Sequence, residues 1–385
     1  MKTTMPLSLG LILLLFPALQ AEEPAPNPLW MFVGTYSGPK SKGIYRYQFN
    51  PQSGEISNGE LAAEVVNPSF LAIHPSGRFL YCVNEGGMIG GKKTGGVTAF
   101  ELDPTSGSLK KLNEQASVGA GPCHVTVDPA GKNLLIANYG GGTTNLFPLG
   151  SDGRIKDVAS VMVHKAPQND PKKKIIPRAH SVNVSKDNRF AIVADLGLDE
   201  VLVYQLDEAT GTLKPNSPPF LAMAPGAGPR HFAFHPDGKS AFIINETDST
   251  LSSLSYDADK GVLTRLDTVS TLPNEAARKG NSTAEVVVHP SGHFVYGSNR
   301  GHDSIVGFRI GTHGKLTRIG HATEGVKEPR NFNIDPAGNF LVVGSQNGHK
   351  IVVFKIDTKT GALSATKHSV EIGSPVCIKF WPKSK

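Results

Sequence analysis

One pattern recurs along this chain and limits what it can fold into. A short alternating strand meets an x-Pro-x-Gly turn, and a second strand ending in Asn or Asp follows. Copies run from Phe70 to Gly77, His124 to Gly131, His231 to Gly238, Glu285 to Gly292 and Asn331 to Gly338, with a degenerate copy from His180 to Asn188. With Asn188 standing in for one glycine, successive turns lie 46 to 57 residues apart. That is close to the period of about 40–50 residues of a four-stranded propeller blade. Each copy continues into a third strand, such as Gly96 to Leu102, Glu200 to Leu206 or Ile351 to Ile356. An Asp/Gly turn and a more polar fourth strand, such as Gly107 to Leu112, then follow. Apolar residues alternate or cluster in short runs, which is the strand signature, and no long helical period competes with it.

The seventh copy is split between the two ends of the chain. Pro375 to Trp381 reads as a first strand with nothing after it, whereas Leu29 to Gly34 and Gly43 to Phe49 read as second and third strands with no first. Complementary ends close a ring and remove its free edges; a solenoid would carry capping ends instead. The expectation is therefore an all-β fold, a seven-bladed β-propeller of four-stranded antiparallel blades, with the N-terminal strands pairing with the C-terminal one. It forms a single domain over residues 29–382.

Residues 1–21 read as a secretory signal and residues 22–28 as a short linker. Lys2 supplies positive charge, Leu7 to Phe16 supplies an apolar stretch too short to span a bilayer comfortably, and Ala18-Leu19-Gln20-Ala21 supplies a cleavage site. An uncleaved membrane anchor is the alternative. The expected location is periplasmic or secreted, off the membrane once the signal is removed. The balance of 39 Lys+Arg against 33 Asp+Glu is mildly basic, but no basic face carries stacking aromatics, which argues against nucleic acid as a partner. Three widely spaced cysteines, Cys82, Cys123 and Cys377, form neither a disulfide framework nor a metal pattern, and read as buried free thiols.

Strand order decides which residues meet. The first strand of each blade lines the channel, and its x-Pro-x-Gly turn lies on one face. The start of the first strand and the end of the second must then share the opposite mouth. Those positions include His124, His180, Arg230, His231, Glu285, Arg330, Glu85, Tyr139, Asp195, Glu246, Asn299 and Arg300. His74, His235 and His289 precede the turn prolines, fall on the far face and read as structural. A mouth rich in His, carboxylate and Arg suits acid–base chemistry on an anionic substrate. A metal is not expected, since there is no His-x-x-x-His helix and the arginines repel cations. No Gly-x-Ser-x-Gly elbow marks a serine nucleophile. Nor is a cofactor implied, and the chain is expected to act as a monomer. The longest insertion, residues 164–179, carries Lys172, Lys173, Lys174 and Arg178 and reads either as a cationic lid or as a solvated loop.

Over nearly its whole mature length the chain resembles the seven-bladed propeller lactonases, the propeller type of 6-phosphogluconolactonase and the related carboxy-muconate lactonizing enzymes. The resemblance is carried by Val33-Gly-Thr-Tyr36, Gly121-Pro-Cys-His124, Ala179-His-Ser-Val182 with Ala194-Asp-Leu-Gly197, Gly228-Pro-Arg-His231, Asn245-Glu246, Ser298-Asn-Arg-Gly-His302 and Glu328-Pro-Arg-Asn-Phe-Asn333. It implies a small anionic lactone or sugar acid as the partner, with His180, Arg230, Glu246 and Arg300 as the catalytic set. His180 would act as general base on a water, held or tuned by Glu246, and the arginines would bind the anion and the developing oxyanion. His124, His231, Glu85, Tyr139, Asp195, Glu285, Asn299 and Arg330 are then substrate-binding candidates. The motifs do not separate a hydrolase from a cyclase that moves a proton at carbon, and a non-catalytic propeller binding a sugar acid or a protein partner is a third reading. Arg178, just ahead of Ala179-His180, departs from the family pattern. So does the export signal, because 6-phosphogluconolactone is a cytoplasmic metabolite.

Overall fold

The computed structural model describes residues 1–3, 28–89, 91, 94–166 and 175–382. Residues 4–21 of the signal segment, 22–27 of the linker and the lysine run of the long insertion lie outside the described residues. Seven antiparallel sheets of four strands follow one another around a ring. The inner strands are Leu71–Ile73, Pro122–Val127, Ala179–Val184, Pro229–Phe234, Ser282–Val288, Pro329–Ile334 and Pro375–Pro382. The last of these pairs with Leu29–Thr35, so one blade is built from both ends of the chain. We number that blade 1, and the others 2 to 7 in chain order. Each inner strand packs beside that of the next blade, and Pro375–Pro382 packs beside Leu71–Ile73 to close the circle.

The second strands are buried almost throughout, from Phe79–Asn84 to Phe340–Ser345, because both faces of each sheet are covered by neighbouring blades. Fourth strands such as Leu109–Ala116 and Leu363–Glu371 alternate with solvent, which explains their polarity. One contact repeats between blades. The aromatic residue near the start of a second strand lies flat on a turn glycine of the following blade. A Cβ on Gly153, Gly261 or Gly361 would fall 2.3–2.5 Å from Phe79, Phe190 or Phe294. These glycines adopt positive φ (65–79°), so the turn and the close approach both require glycine.

On the far face, three histidines fasten neighbouring blades together. Nε2 of His74, His235 and His289 lies 2.8–2.9 Å from the carbonyl oxygens of Gly131, Gly292 and Gly338 in the following blade. Backbone N–H groups of Ser76, Asp237 and Ser291 donate to the matching Nδ1 atoms. Nε2 is therefore the protonated nitrogen and donates across the blade boundary. The turn motif thus serves the ring, as its sequence suggested.

Candidate active site

A repeated local device builds the opposite mouth. Ahead of five inner strands a residue in the left-handed region precedes a proline: Asn67, Gly121, Gly228, Glu328 and Ser374, with φ of 43–66°. Its carbonyl accepts the backbone N–H just beyond the end of the second strand, that of Glu85, Tyr139, Glu246, Gln346 or Tyr36 respectively. After the proline the pairing register shifts by one residue. Bulges fall between Pro122 and His124, Ala179 and Ser181, Pro229 and His231, and Pro329 and Asn331. A further shift lies between Thr283 and Val286. A bulge breaks the strand's alternation and re-aims side chains. Two successive residues, Arg230 and His231, can therefore both serve the channel mouth.

The structure brings His180, Arg230, Glu246, Arg300, His231, Glu285 and Arg330 together with Tyr36, Glu85, Tyr139 and Cys123. Arg230 is 1% exposed. Its Nε donates to Glu246 Oε2 at 2.8 Å and its Nη1 to the carbonyl of Ala284 at 2.7 Å. Arg300 Nη2 lies 3.1 Å from the same Glu246 oxygen and donates to the Thr283 carbonyl at 2.8 Å. Glu246 is thus the clamp of an arginine pair. It is not bonded to His180, contrary to the role the family resemblance implied, because its backbone anchor on Gly228 sets it beside Arg230. Arg330 lies over the Tyr36 ring, and the Tyr36 hydroxyl donates to Glu85 at 3.0 Å.

Three histidines sit within this shell. The rings of His180 and His231 are 5.3 Å apart, and those of His231 and His124 5.4 Å. His180 also meets Tyr139 edge-on. Its Nδ1 is 3.9 Å from Cys123 Sγ, so Cys123 is a buried thiol, as expected, that also packs against a site histidine. His124 lies one layer deeper, tilted against Phe70 at 4.1 Å. His231 Nδ1 is 2.8 Å from Glu285 Oε1, and Glu285 Oε2 accepts from Asn331 Nδ2.

Electrostatics follow from burial among cations. Burial first, then the neighbouring Arg330 and Arg300, push Arg230 down to about 10. His180 is held well below the ordinary histidine range by burial, then by Arg230, His231 and Arg330. Burial, His231 and Lys379 do the same to His124. His231 is lowered too, chiefly by burial, with Glu285 pulling the other way. Burial alone would raise Glu246, but Arg230, Arg300 and Arg330 outweigh it and hold the carboxyl below its usual range. At neutral pH the mouth presents neutral imidazoles among fixed guanidinium charges. Burial pushes the Cys123 thiol up to about 12, which keeps it from acting as a thiolate. Among the described residues no group of three or more His, Cys, Asp or Glu side chains could hold a metal ion.

Two residues that topology assigned to this mouth are not brought into the cluster. Asp195 is fully buried, bonding His164 Nδ1 at 2.6 Å and accepting the N–H groups of Arg178, Gly197 and Leu198. Asn299 bonds Thr271 and Ser304. Asp195 ends a second strand and Asn299 is the last residue but one of its own; Asn84, Asn138 and Asn245 stand at matching positions and, like Asn299, bond the third strand. The next residue along (Glu85, Tyr139, Glu246 or Arg300) is the one that faces the mouth, by strand alternation. Sequence reasoning missed His164 as the partner of Asp195; it placed Asn331 beside Arg330 at an inner-strand start, but not its bond to Glu285.

Residues 30–380 match the family model described as lactonase, 7-bladed beta-propeller. The chain is 33% identical over 352 residues to a 6-phosphogluconolactonase of Bacillus subtilis, covering 91% of this chain and 97% of the relative. It is 34% identical over 361 residues to a 6-phosphogluconolactonase of Formosa agariphila, covering 92% and 100%. Among solved structures, the Pseudomonas aeruginosa periplasmic gluconolactonase PpgL superposes with a TM-score of 0.85 at 30% identity, over 93% of this chain and 100% of that one. The repeat, the closed ring and these likenesses agree, and the chain belongs to the seven-bladed β-propeller lactonase family.

Proposed function

We propose that this protein hydrolyses the lactone of an anionic sugar acid. The observation that carries the reading is the arginine pair bound to one carboxylate, Arg230 and Arg300 on Glu246, beside buried histidines that stay neutral at pH 7. A neutral imidazole accepts a proton from water, the water oxygen attacks the lactone carbonyl, and guanidinium groups stabilise the oxyanion that forms. Arg330, also at the mouth, supplies a further positive charge for a carboxylate or phosphate on the substrate. The family resemblance makes His180 one of the histidines concerned. Names of the relatives support a gluconolactone or its phosphate ester as the substrate class. The signal-like N-terminus and the periplasmic relative together support export, which favours a lactone met outside the cytoplasm.

The test is turnover by the purified chain on sugar-acid lactones with and without phosphate, alongside His180→Ala. Turnover that falls in the folded variant supports the reading, and an inactive wild type across the panel overturns it. Export is tested by sequencing the N-terminus of protein from the cell envelope. A start near residue 22 is expected, and a start at Met1 contradicts it.

A further inference from the structure

Resting on the lactonase reading, we propose that His231, oriented by Glu285 and Asn331, is the proton acceptor for the attacking water. The hydrogen bonds fix each group in turn. Asn331 Oδ1 accepts the backbone N–H of Ile378 at 2.8 Å, so its Nδ2 must face Glu285. Glu285 accepts from Asn331, from the backbone N–H of Val286 at 3.0 Å and from His231. A carboxylate surrounded by donors stays ionised, so His231 carries its proton on Nδ1 and donates it to Glu285. That leaves the Nε2 lone pair free, and Nε2 is buried with no hydrogen-bond partner. His231 lines a small cavity with Arg230, Arg330, Cys123, Ser69 and Asn331; at about 10 Å³ it has room for a single water.

The other two histidines lack this arrangement. His124 Nδ1 accepts the Val182 N–H at 3.4 Å, which puts its proton on Nε2. His180 has Cys123 Sγ, not a carboxylate, near Nδ1. In the reaction, water loses a proton to His231 Nε2 as its oxygen bonds to the lactone carbonyl carbon. The resulting oxyanion faces Arg230. The ring C–O bond then breaks, and the leaving alkoxide takes the proton from His231, giving a hydroxy acid with no net change in the enzyme. Glu285 touches no substrate; it is a positioning residue that holds the tautomer.

The experiment compares His231→Asn, Glu285→Gln and His180→Asn on the lactone turned over by wild type, with urea midpoints to confirm folding. The expected loss in kcat for H231N is on the order of 10²–10⁴-fold. E285Q loses activity on a similar scale, because the amide permits the wrong tautomer, and the acid limb of its residual activity moves to lower pH. The charged groups facing His231 are Glu285, Arg230 and Arg330, with His124 and His180 beside it; of these only Glu285 favours the imidazolium. Nitrogen NMR of wild-type histidines adds a readout independent of variant folding, with His231 expected as the Nδ1–H tautomer at pH 7. Retained kcat in H231N, or an Nε2–H tautomer, overturns the proposal while leaving the lactonase reading intact. An inactive wild type overturns both.

Discussion

Replacing Glu246 by Gln tests whether one carboxylate holds the arginine pair. Glu246 accepts from Arg230 at 2.8 Å and meets Arg300 at 3.1 Å, and its side chain is 25% exposed. Removing one partner of a buried ion pair costs about 3–5 kcal/mol, because a charge is left uncompensated. Partial exposure and the backbone carbonyls that both arginines keep, those of Ala284 and Thr283, reduce this. We expect a loss of about 2–3 kcal/mol at pH 7, read from urea unfolding midpoints. The pH dependence follows from the sign of the shift. Glu246 is held below its unfolded value near 4.5, so its contribution is full above that pH and fades as pH falls through the lower folded value. Gln has no such term, so the gap between wild type and variant should close in acid. Activity should fall by about 100-fold as the guanidinium groups lose alignment. An unchanged midpoint at pH 7, or a gap that persists in acid, would refute the clamp.

Other expectations address the ring and the site separately. His289→Ala removes an inter-blade bond on the far face and leaves the Gly338 carbonyl unpaired; about 2–3 kcal/mol of stability should be lost with kcat unchanged. Gly228→Ala puts a Cβ 2.4 Å from Thr247 Oγ1 at φ +66°, which should displace Arg230 and lower kcat/KM far more than it lowers the unfolding midpoint. His124, His180 and His231 are lowered in the folded state, so each is protonated first in the unfolded chain. Stability should therefore decline as pH drops below about 6.5, by up to ~1.4 kcal/mol per pH unit per histidine. A urea midpoint that is flat from pH 7 to 5 would contradict their burial as neutral groups.

The ring was legible because its turns are marked by Pro and Gly and because Pro375–Trp381 lacks the partners that Leu29–Phe49 supplies. The mouth was legible because strand order alone decides which ends share a face. Side-chain direction was less so. Asp195 and Asn299 stand one residue short of the positions that face the channel, a distinction of strand alternation that end-of-strand counting blurs. The bulges that aim His180, Arg230 and Arg330 leave no residue signature beyond the Gly-Pro or Glu-Pro ahead of some of them, since a register shift is a property of two strands at once. Glu246's contact with Arg300 and the Glu285–Asn331 pairing join different blades, and no local pattern encodes them.

Lactone hydrolysis at this mouth depends, on the proposal above, on its guanidinium and imidazole groups. The most direct measurement is acid release at constant pH from glucono- and phosphogluconolactones, with wild type beside Arg230→Met. Release well above the spontaneous rate is expected for wild type, with a fall to near that rate in a folded R230M. Equal rates for the two proteins, or no release above background with wild type, would contradict it.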